Sequence, residues 1–589
     1  MNVLVPIVAG AVLLGLGSRF YGRFLARRLE IDSSRPTPAI AKGDGRDYVP
    51  TRVPVLFAHH FSAIAGAGPI LGPTIALLYG FAPTWGWVVL GGIFFGAAHD
   101  LAALFASVRQ GGRSMAEVAR SSLGNAGFAL FILFTLVLIV LVTSAFLAAT
   151  SVSLTSMWPA ASLGLDPANS WMRIVEKDGT PLAVIGGIAS TSVVIITLLS
   201  PLVGWLLYRR GLKTSYAYPL ATIICVGSIA AGIHFPIAID PKVWMVILSC
   251  YVLVAAGVPV WLILQPRDFI NVQILYVGIA ALITGLVVAG AGGLEMQAPM
   301  IDLADAEASP ALGPIWPFLF TTIACGAISG FHAMIASGTT SKQVASEAHM
   351  KRIGFDGMLL ESMLALCVLV AVGACLSFED YASIVHPTIA GAKSNPILAF
   401  SLAVGRLCDR AFGIPTAAGT VFGILLVEGF VVTTLDAAVR INRYLFEELW
   451  NILFRGRVPS VMRHYWFNSG LSVVLMLVLA WTNAFNTIWP VFGSANQLLA
   501  ALAMIAVSAW LIGKGKKPWY TLVPASVMLV TTIGTLSLLV ERYYEAGQWS
   551  LLAADLALML LSAALVVLAV HRLAKGFRPG PRKIGTASN

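Results

Sequence analysis

Eight ionisable side chains lie within or at the edge of strongly apolar stretches of this 589-residue chain. A charged group inside a bilayer is costly, so such residues usually pair with one another or serve transport. Histidine titrates near neutral pH, and burial can bring a carboxyl group into the same range, so both residue types suit proton transfer. The eight residues are His59, His60, His99, Asp100, His332, Glu361, Glu428 and Asp436.

Ionisable residues deep within the apolar stretches are candidate proton carriers, whereas those near the ends of a stretch are candidates for ion pairs. Glu361 and Glu428 lie deep and have no Lys or Arg within helical reach, so they are the strongest candidates for protonation. Adjacent side chains point in different directions on a helix, so His59 and His60 need not face the same site. The alternative role for either one is a structural hydrogen bond to a neighbouring helix. The residues predicted to couple protons are His59, His60, His332, Glu361 and Glu428.

Two other acids have basic residues nearby in the sequence. Asp100 lies close to the predicted inner face, where the next basic residues are Arg109 and Arg113. Asp436 precedes Arg440 at a spacing that brings side chains together on a helix. We predict gating or structural ion pairs for both acids with these arginines.

A glycine- and proline-rich segment interrupts the second apolar stretch at mid-length. Glycine adds backbone freedom and proline removes a hydrogen-bond donor, so the helix is predicted to unwind there. The N–H groups that begin the next half-helix can bind an anion, and small side chains let a carboxylate reach the backbone. The predicted substrate contacts in this segment are Ala65, Gly66, Ala67, Gly68 and Pro69.

A second interruption, Ala255-Ala256-Gly257-Val258-Pro259-Val260-Trp261, lies at similar depth in the seventh apolar stretch. Paired broken helices of opposite direction are the best sequence indication of a transport site. Close packing is the alternative explanation, because Gly and Pro are common in membrane helices. Gly257, Pro259 and Trp261 complete the predicted substrate contacts.

The sequence predicts neither an enzyme nor a cofactor-binding protein. It has no H-E-x-x-H, Walker or G-x-S-x-G motif, and its six cysteines form no C-x-x-C pair. No metal site is predicted. The alternative is a site assembled across apolar stretches from His60, Asp100 and His332.

The composition predicts an all-α polytopic membrane protein. The chain is 58% hydrophobic and 11% charged, whereas a soluble domain has about 25% charged residues. At about 20 residues for each crossing, the apolar stretches predict about 15 transmembrane helices. The predicted spans are 2–18, 53–80, 84–106, 127–151, 181–207, 217–235, 241–265, 270–293, 314–337, 354–377, 412–437, 466–486, 492–512, 518–540 and 549–570.

The distribution of basic residues predicts the orientation. Most of the 38 Lys and Arg fall in alternate connections, which places the N-terminus outside and the C-terminus in the cytoplasm of a bacterial-type inner membrane. The net charge of +10 therefore reflects topology and predicts no nucleic-acid partner. Apart from Lys242, which begins the span 241–265 and belongs with the outside connection, no Lys or Arg falls inside a predicted span. Peptide dipoles and histidine would therefore have to hold an anionic substrate.

A series of short motifs runs in order along most of the chain. They are Tyr48-Val49-Pro50-Thr51, His59-His60-Phe61, Ala63 to Pro69, Leu104 to Arg109, Val260 to Leu264, Pro266-Arg267-Asp268, Thr322 to Ala327, Ser329 to Ala333, Ser337 to Thr340, Thr434 to Ala437, Trp489-Pro490, Phe492-Gly493 and Asn496-Gln497. Together these motifs resemble the carbon starvation protein A (CstA) family. Two features depart from it: His99 stands where the resemblance leads us to expect glutamine, and the connection between Phe378 and Pro415 is shorter than in enteric members.

The resemblance implies a proton-driven transporter of pyruvate or peptides in the amino acid–polyamine–organocation superfamily. It also implies a LeuT-like inverted repeat of five plus five helices, with one extra N-terminal helix and several extra C-terminal helices. We expect residues 1–52 to form the extra helix and a cytoplasmic linker, 53–437 the transport core, and 438–589 the accessory helices and basic tail. The predicted function is secondary active import of a small carboxylate, similar to pyruvate, or of short peptides, coupled to protons.

Two alternatives stay open. The first is sodium coupling in the same fold, with a cation site lined by Ser337, Thr339 and Thr340. The second is a metabolite-sensing membrane receptor, which would ordinarily need a soluble output domain. The predicted partners are therefore the substrate, a proton or sodium ion, and the lipid bilayer.

Overall fold

A computed structural model describes residues 1–43, 48–168, 170–259, 262–309, 312–388 and 393–574, and most of this structure is helical. Twelve of the described helices are long and apolar enough to cross a membrane. Their outer faces carry exposed apolar side chains such as Leu198, Leu560 and Val567, as expected for surfaces in contact with lipid. The predicted class of a mainly helical polytopic membrane protein is confirmed.

The principal helices are defined here in chain order. They are α1 (Leu4–Arg28), α2 (Val53–Ile64), α3 (Gly68–Tyr79), α4 (Phe81–Arg109), α5 (Met115–Ser153), α6 (Ile185–Tyr208), α7 (Thr214–His234), α8 (Pro241–Gly257), α9 (Leu264–Ala291), α10 (Ile315–Thr322), α11 (Gly330–Gly338), α12 (Glu347–Cys375), α13 (Phe378–Val385), α14 (Pro396–Phe412), α15 (Thr416–Leu453), α16 (Tyr465–Thr482), α17 (Phe485–Gly513), α18 (Trp519–Glu545) and α19 (Trp549–Ala574). Shorter helical segments are Pro38–Ala41, Ala161–Leu163, Ala304–Ala308, Thr340–Lys342 and Ser460–Arg463.

A small antiparallel sheet lies between α5 and α6 in the sequence. Its strands are β1 (Trp158–Pro159), β2 (Ile174–Lys177) and β3 (Thr180–Ala183), in the order β1-β3-β2. Asp178 and Gly179, both with positive φ, form the tight turn from β2 to β3.

Helices α2 and α3 are the two halves of one broken helix, bent by 47°. Ala65 leaves helical geometry with a ψ of 61°. Pro69 lies in the first turn of α3, where the missing N–H breaks no helical hydrogen bond. The predicted unwinding at residues 65–67 is confirmed.

A second broken helix consists of α10, the non-helical residues 323–329, and α11. Ile323 ends α10 with a ψ of 58°. Gly326 has a φ of +90°, a conformation that glycine adopts without strain. Ser329 is extended directly before α11.

The second break therefore lies elsewhere than predicted. The short helix α8 ends at Gly257, where Pro259 prevents its continuation, and α9 is a separate helix that begins at Leu264. A Cβ on Gly257 would contact Tyr465 and Trp466 of α16, and Pro259 is exposed. Trp261 lies outside the described residues.

Two helices, α5 and α15, are much longer than a bilayer crossing requires. Helix α5 has 39 residues, with a kink at Gly124, whose φ is 82°. Helix α15 has 38 residues, which correspond to about 57 Å. A hydrocarbon core is about 30 Å thick, so α15 must tilt strongly or project beyond the membrane.

Two glycines in neighbouring helices provide a matched test of this packing. A Cβ on Gly493 of α17 would collide with the carbonyl oxygen of Thr321, whereas one on Gly470 of α16 has nothing within 4 Å. We expect Gly493→Ala to reduce the free energy of unfolding by about 1–3 kcal/mol through overpacking. Gly470→Ala should leave it unchanged or raise it by up to about 1 kcal/mol. Equal melting temperatures for the two purified variants would contradict this packing.

Candidate functional site

The two helix breaks lie against each other in the protein interior. A Cβ on Gly68 would overlap the side chain of Cys325, and one on Gly72 would lie 3.2 Å from the carbonyl oxygen of Thr322. Only glycine fits at these positions without displacing a neighbour. The start of α3 is therefore in direct contact with residues 322–326.

Side chains from neighbouring helices replace the hydrogen bonds that the second break loses. Trp489 Nε1 donates to the carbonyl of Thr322 at 3.2 Å, and Asn496 Nδ2 donates to that of Ala324 at 2.7 Å. Asn496 Oδ1 accepts the backbone N–H of Phe331 at 3.0 Å. Buried peptide groups require such partners. Side chains of α17 therefore stabilise the non-helical conformation of this segment.

At the first break, the N-terminus of α3 has N–H groups without helical partners. The N–H of Gly66 is bonded to Ile64 and that of Ile70 to Ala67. Among the described hydrogen bonds, none involves the N–H of Ala67 or Gly68. These two donors lie at the positive end of the helix dipole, where an anion is stabilised.

A small cavity separates the two breaks from α5, α15 and α17. It offers about 40 Å³ to the centres of water-sized molecules, and a single water needs about 10–15 Å³ by this measure. Its apolar walls include Phe146 and Phe492, whose ring centroids are 6.0 Å apart. Its polar lining comes from Cys325, Ser329, Thr434 and Asn496.

Beside this cavity, His332 of α11 lies between two fully buried carboxylates. Its Nδ1 is 2.9 Å from Asp100 Oδ2 of α4. Its Nε2 is 3.1 Å from Glu361 Oε2 of α12, at ion-pair distance but without hydrogen-bond alignment. Glu361 Oε1 also accepts the N–H of Gly326 at 3.1 Å, which links the acid directly to the second break. His99 extends the cluster, with Nδ1 2.7 Å from Asp100 Oδ1.

Cys325 connects this cluster to the cavity. Its Sγ lies 3.8 Å from His332 Nε2, and its side chain lines the cavity. One ligand atom from each of Cys325, His332 and Glu361 lies within 4.8 Å of the others, a spacing that one divalent ion could bridge. The metal site considered from the sequence used a different set, in which His60 and Asp100 joined His332.

The two adjacent histidines of α2 have different surroundings. His60 is completely buried, and its Nδ1 lies 2.9 Å from Thr340 Oγ1, whereas its Nε2 has no partner among the described residues. His59 is exposed. Glu428 is buried in α15, and its carboxylate is not part of the hydrogen-bond network of His332.

The predicted pairing of Asp100 with an arginine is wrong. Asp100 is bonded to its sequence neighbour His99 and to His332 of α11, which helix packing brings within 2.9 Å of it. Arg109 instead pairs with Glu347, with Nε 2.6 Å from Oε1. Arg113 is exposed.

The predicted pairing of Asp436 with Arg440 is also wrong. Arg267 Nη1 lies 2.8 Å from Asp436 Oδ2, and the hydroxyl of Tyr251 donates to the same oxygen at 2.7 Å. Arg267 is only 1% exposed, so a cation does lie inside the helical bundle. Arg440 instead donates to the carbonyls of Ala255 and Val258 at 2.6 and 2.9 Å, at the C-terminal end of α8.

The hydroxyls predicted as an alternative cation site are each engaged elsewhere. Ser337 Oγ donates to the carbonyl of Ala333 at 2.6 Å and accepts the N–H of Met115 at 3.1 Å. Thr339 donates to the carbonyl of Ile335 and Thr340 bonds to His60. They do not converge on one point.

Sequence reasoning missed Asn496, Cys325 and Arg267 as site residues. Asn496 and Phe492 lie in the C-terminal part of the chain that was predicted to be accessory, beyond residue 437. The only sequence signal was a polar pair, Asn496-Gln497, within an otherwise apolar stretch. Such a pair indicates an internal partner but does not identify it.

The helices and the site define a polytopic membrane protein with a buried ionisable cluster between two broken helices. The family model described as "Carbon starvation protein CstA" matches residues 2–391 and 375–535. The chain therefore belongs to the CstA family, as the motifs indicated.

Relatives with assigned names match over nearly the full length. "Peptide transporter CstA" of Bacillus subtilis is 30% identical and aligns with 96% of both chains. "Pyruvate/proton symporter BtsT" of Escherichia coli is 29% identical, over 91% of this chain and 82% of its own. A manganese transporter mutant from Eremococcus coleocola has a TM-score of 0.46 at 12% identity, covering 92% of this chain and 98% of its own, a likeness too distant to guide interpretation.

Asn496 provides a test of how the second break is held. Asn496→Ala leaves the carbonyl of Ala324 and the N–H of Phe331 without partners, each at a cost of about 1–3 kcal/mol. We expect a total loss of about 2–4 kcal/mol in the free energy of unfolding, measured on the purified protein in detergent. The control Asn451→Ala, at an exposed position of α15, should have no effect. A variant at 496 as stable as this control would contradict the role of Asn496.

Proposed function

We propose that this protein is a secondary active importer of a small carboxylate, similar to pyruvate, coupled to protons in the bacterial inner membrane. The observation that carries the proposal is His332, held between two buried carboxylates beside a cavity at two helix breaks. The names of the relatives, a peptide transporter and a pyruvate/proton symporter, favour the same function.

The substrate carboxylate would bind at the start of α3. Ala67 and Gly68 line the cavity, and the small residues 65–68 leave room for a carboxylate to approach their N–H groups. Thr434 and Ser329 supply hydroxyl groups on the other sides. Phe146 and Phe492 provide the apolar wall that a short carbon chain requires.

Proton coupling would use His332, Glu361 and Asp100. Asp100 and Glu361 carry two negative charges when ionised, and His332 carries at most one positive charge, so one further proton makes the cluster neutral. A neutral cluster and a substrate anion held by dipoles are easier to accommodate in a low-dielectric interior. Because Glu361 is bonded to Gly326, a change in its protonation acts directly on the second break.

His60 is a second candidate in this pathway because it is buried and has a free ring nitrogen. His59 is exposed, which favours a role at the surface over one in proton transfer.

We infer that the transport core is an inverted repeat in which α2–α3 and α10–α11 are counterparts. Both are broken, and their glycine-lined breaks are in contact. With about 15 crossings, the N-terminus would lie outside and the C-terminus in the cytoplasm. The core would extend past residue 437 to include α17, since Asn496 and Phe492 line the cavity.

Short peptides are the second candidate substrate, favoured by the names of several relatives. The cavity volume of about 40 Å³ favours the smaller carboxylate in this conformation. In reconstituted vesicles that import labelled pyruvate, we expect unlabelled short-chain carboxylates to compete at least tenfold more strongly than di- or tripeptides. Stronger competition by tripeptides would replace the small-carboxylate assignment with a peptide one.

Proton coupling is tested by replacing the central residues of the cluster. His332→Gln and Glu361→Gln each remove a titratable group while keeping a polar side chain, so both should reduce pyruvate uptake at least tenfold and abolish its response to an imposed pH gradient. His464→Gln is the matched control, because His464 is exposed and distant in sequence.

Melting temperatures close to that of the wild-type protein would show that the variants are folded. Uptake that responds to the pH gradient equally in wild-type and both variants would refute the role of this cluster. Addition of a chelator should leave wild-type uptake unchanged, since the cluster is proposed to act without a metal. Loss of uptake on chelation would instead indicate an ion at Cys325, His332 and Glu361.

A further inference from the structure

Glu428 of α15 is a fully buried carboxylate without an ion-pair partner among the described residues. Its side chain is 0% exposed, and neither carboxylate oxygen makes a hydrogen bond with any described residue. An isolated carboxylate in a membrane interior is strongly unfavourable. Something must therefore balance this charge in the working protein.

Two hydroxyl groups of α5 face this carboxylate. They belong to Thr150 and Ser153, whose spacing places them on the same side of the helix. Both residues are 0% exposed, and neither hydroxyl forms a hydrogen bond of normal geometry within the described structure. Four buried oxygen atoms, two from the carboxylate and two from hydroxyl groups that face it, thus lie together between α5 and α15.

The orientation of these two hydroxyls is unusual for this part of α5. Serine and threonine in a helix commonly donate to a carbonyl three or four residues earlier. The neighbouring hydroxyls of Thr143, Ser144, Ser151 and Thr155 all do so, at 2.7–3.1 Å. The hydroxyls of Thr150 and Ser153 do not donate to a helix carbonyl in this way. Their oxygens are therefore available to a ligand.

We propose that Glu428, Thr150 and Ser153 bind a sodium ion. Carboxylate and hydroxyl oxygens are hard ligands suited to an alkali cation. The charge selects a monovalent ion, because one carboxylate neutralises a single positive charge, whereas a divalent ion would leave an unbalanced charge in the membrane interior.

Arg267 does not fill this role. It lines a small cavity together with Glu428 and Asn271, but its guanidinium lies 2.8 Å from Asp436 and donates to Thr433 at 2.9 Å. Its charge is therefore balanced by Asp436. The cavity offers about 10 Å³, roughly enough for one water molecule that could complete the coordination.

The site is separate from the proposed proton cluster. The cluster residues come from α4, α11 and α12, whereas the sodium ligands come from α5 and α15. The inference therefore stands whether or not the transported substrate is a carboxylate and whether or not protons drive its uptake. It gives sodium a location that the sequence-based alternative at Ser337, Thr339 and Thr340 does not provide.

Binding of radioactive sodium to the purified full-length protein in detergent tests the proposal. We expect saturable binding in wild-type protein, weakened at least tenfold by Glu428→Gln and several-fold by Thr150→Val or Ser153→Ala. Glu541→Gln, which removes an exposed carboxylate, is the matched control and should bind like wild type. His332→Gln should also retain sodium binding, which separates this site from the proton cluster.

If Glu428→Gln fails to fold, Thr150→Val and Ser153→Ala still test the proposal, since each removes one oxygen ligand with little change in size. Sodium binding unaffected by Thr150→Val and Ser153→Ala would overturn the assignment. A wild-type protein that binds no sodium, and whose melting temperature responds to pH but not to replacement of potassium by sodium, would also overturn it and indicate that Glu428 is neutralised by a proton.

Discussion

The structure depends on the requirement that a peptide group leaving a helix inside a membrane find another partner. Residues 323–329 leave helical geometry among tightly packed helices, and water cannot be relied on to satisfy their polar groups. Asn496 and Trp489 supply the missing bonds from α17, and Glu361 supplies one from α12. The break between α10 and α11 is thus stabilised by two further helices, α12 and α17. Its position determines the positions of the cavity and of His332.

Most charged side chains buried in the helical bundle also have partners, and they form separate clusters of opposite charge. His332 lies between Asp100 and Glu361, and Arg267 is matched by Asp436 with help from Tyr251. Each group contains both acidic and basic residues from different helices. Glu428 and Asp555 are exceptions, because each is a buried carboxylate with no cation within bonding distance among the described residues. The surroundings of Glu428 contain hydroxyl groups instead.

The sequence predicted the features that depend on neighbouring residues in the chain. Apolar length predicted the membrane helices, and Gly66, Gly68 and Pro69 predicted the first break, since these residues act on their own backbone. The second break was misplaced because Gly257 and Pro259 carry the same local signal, although there it marks a helix end. The true break has Gly326 and Gly330 but no proline. The pairing of Asp100 with His332 and of Arg267 with Asp436 joins residues far apart in the chain, which spacing cannot reveal.

The length of α15 has a mechanical consequence. Within less than two turns, this 38-residue helix lines the cavity at Thr434, pairs with the buried Arg267 at Asp436, and contacts the end of α8 at Arg440. A stiff rod pivots as a unit, so a small angular change at the centre becomes a larger displacement at its tips. The helix that lines the cavity at Thr434 is therefore also the one on which a change of tilt would produce a large displacement at the membrane surfaces.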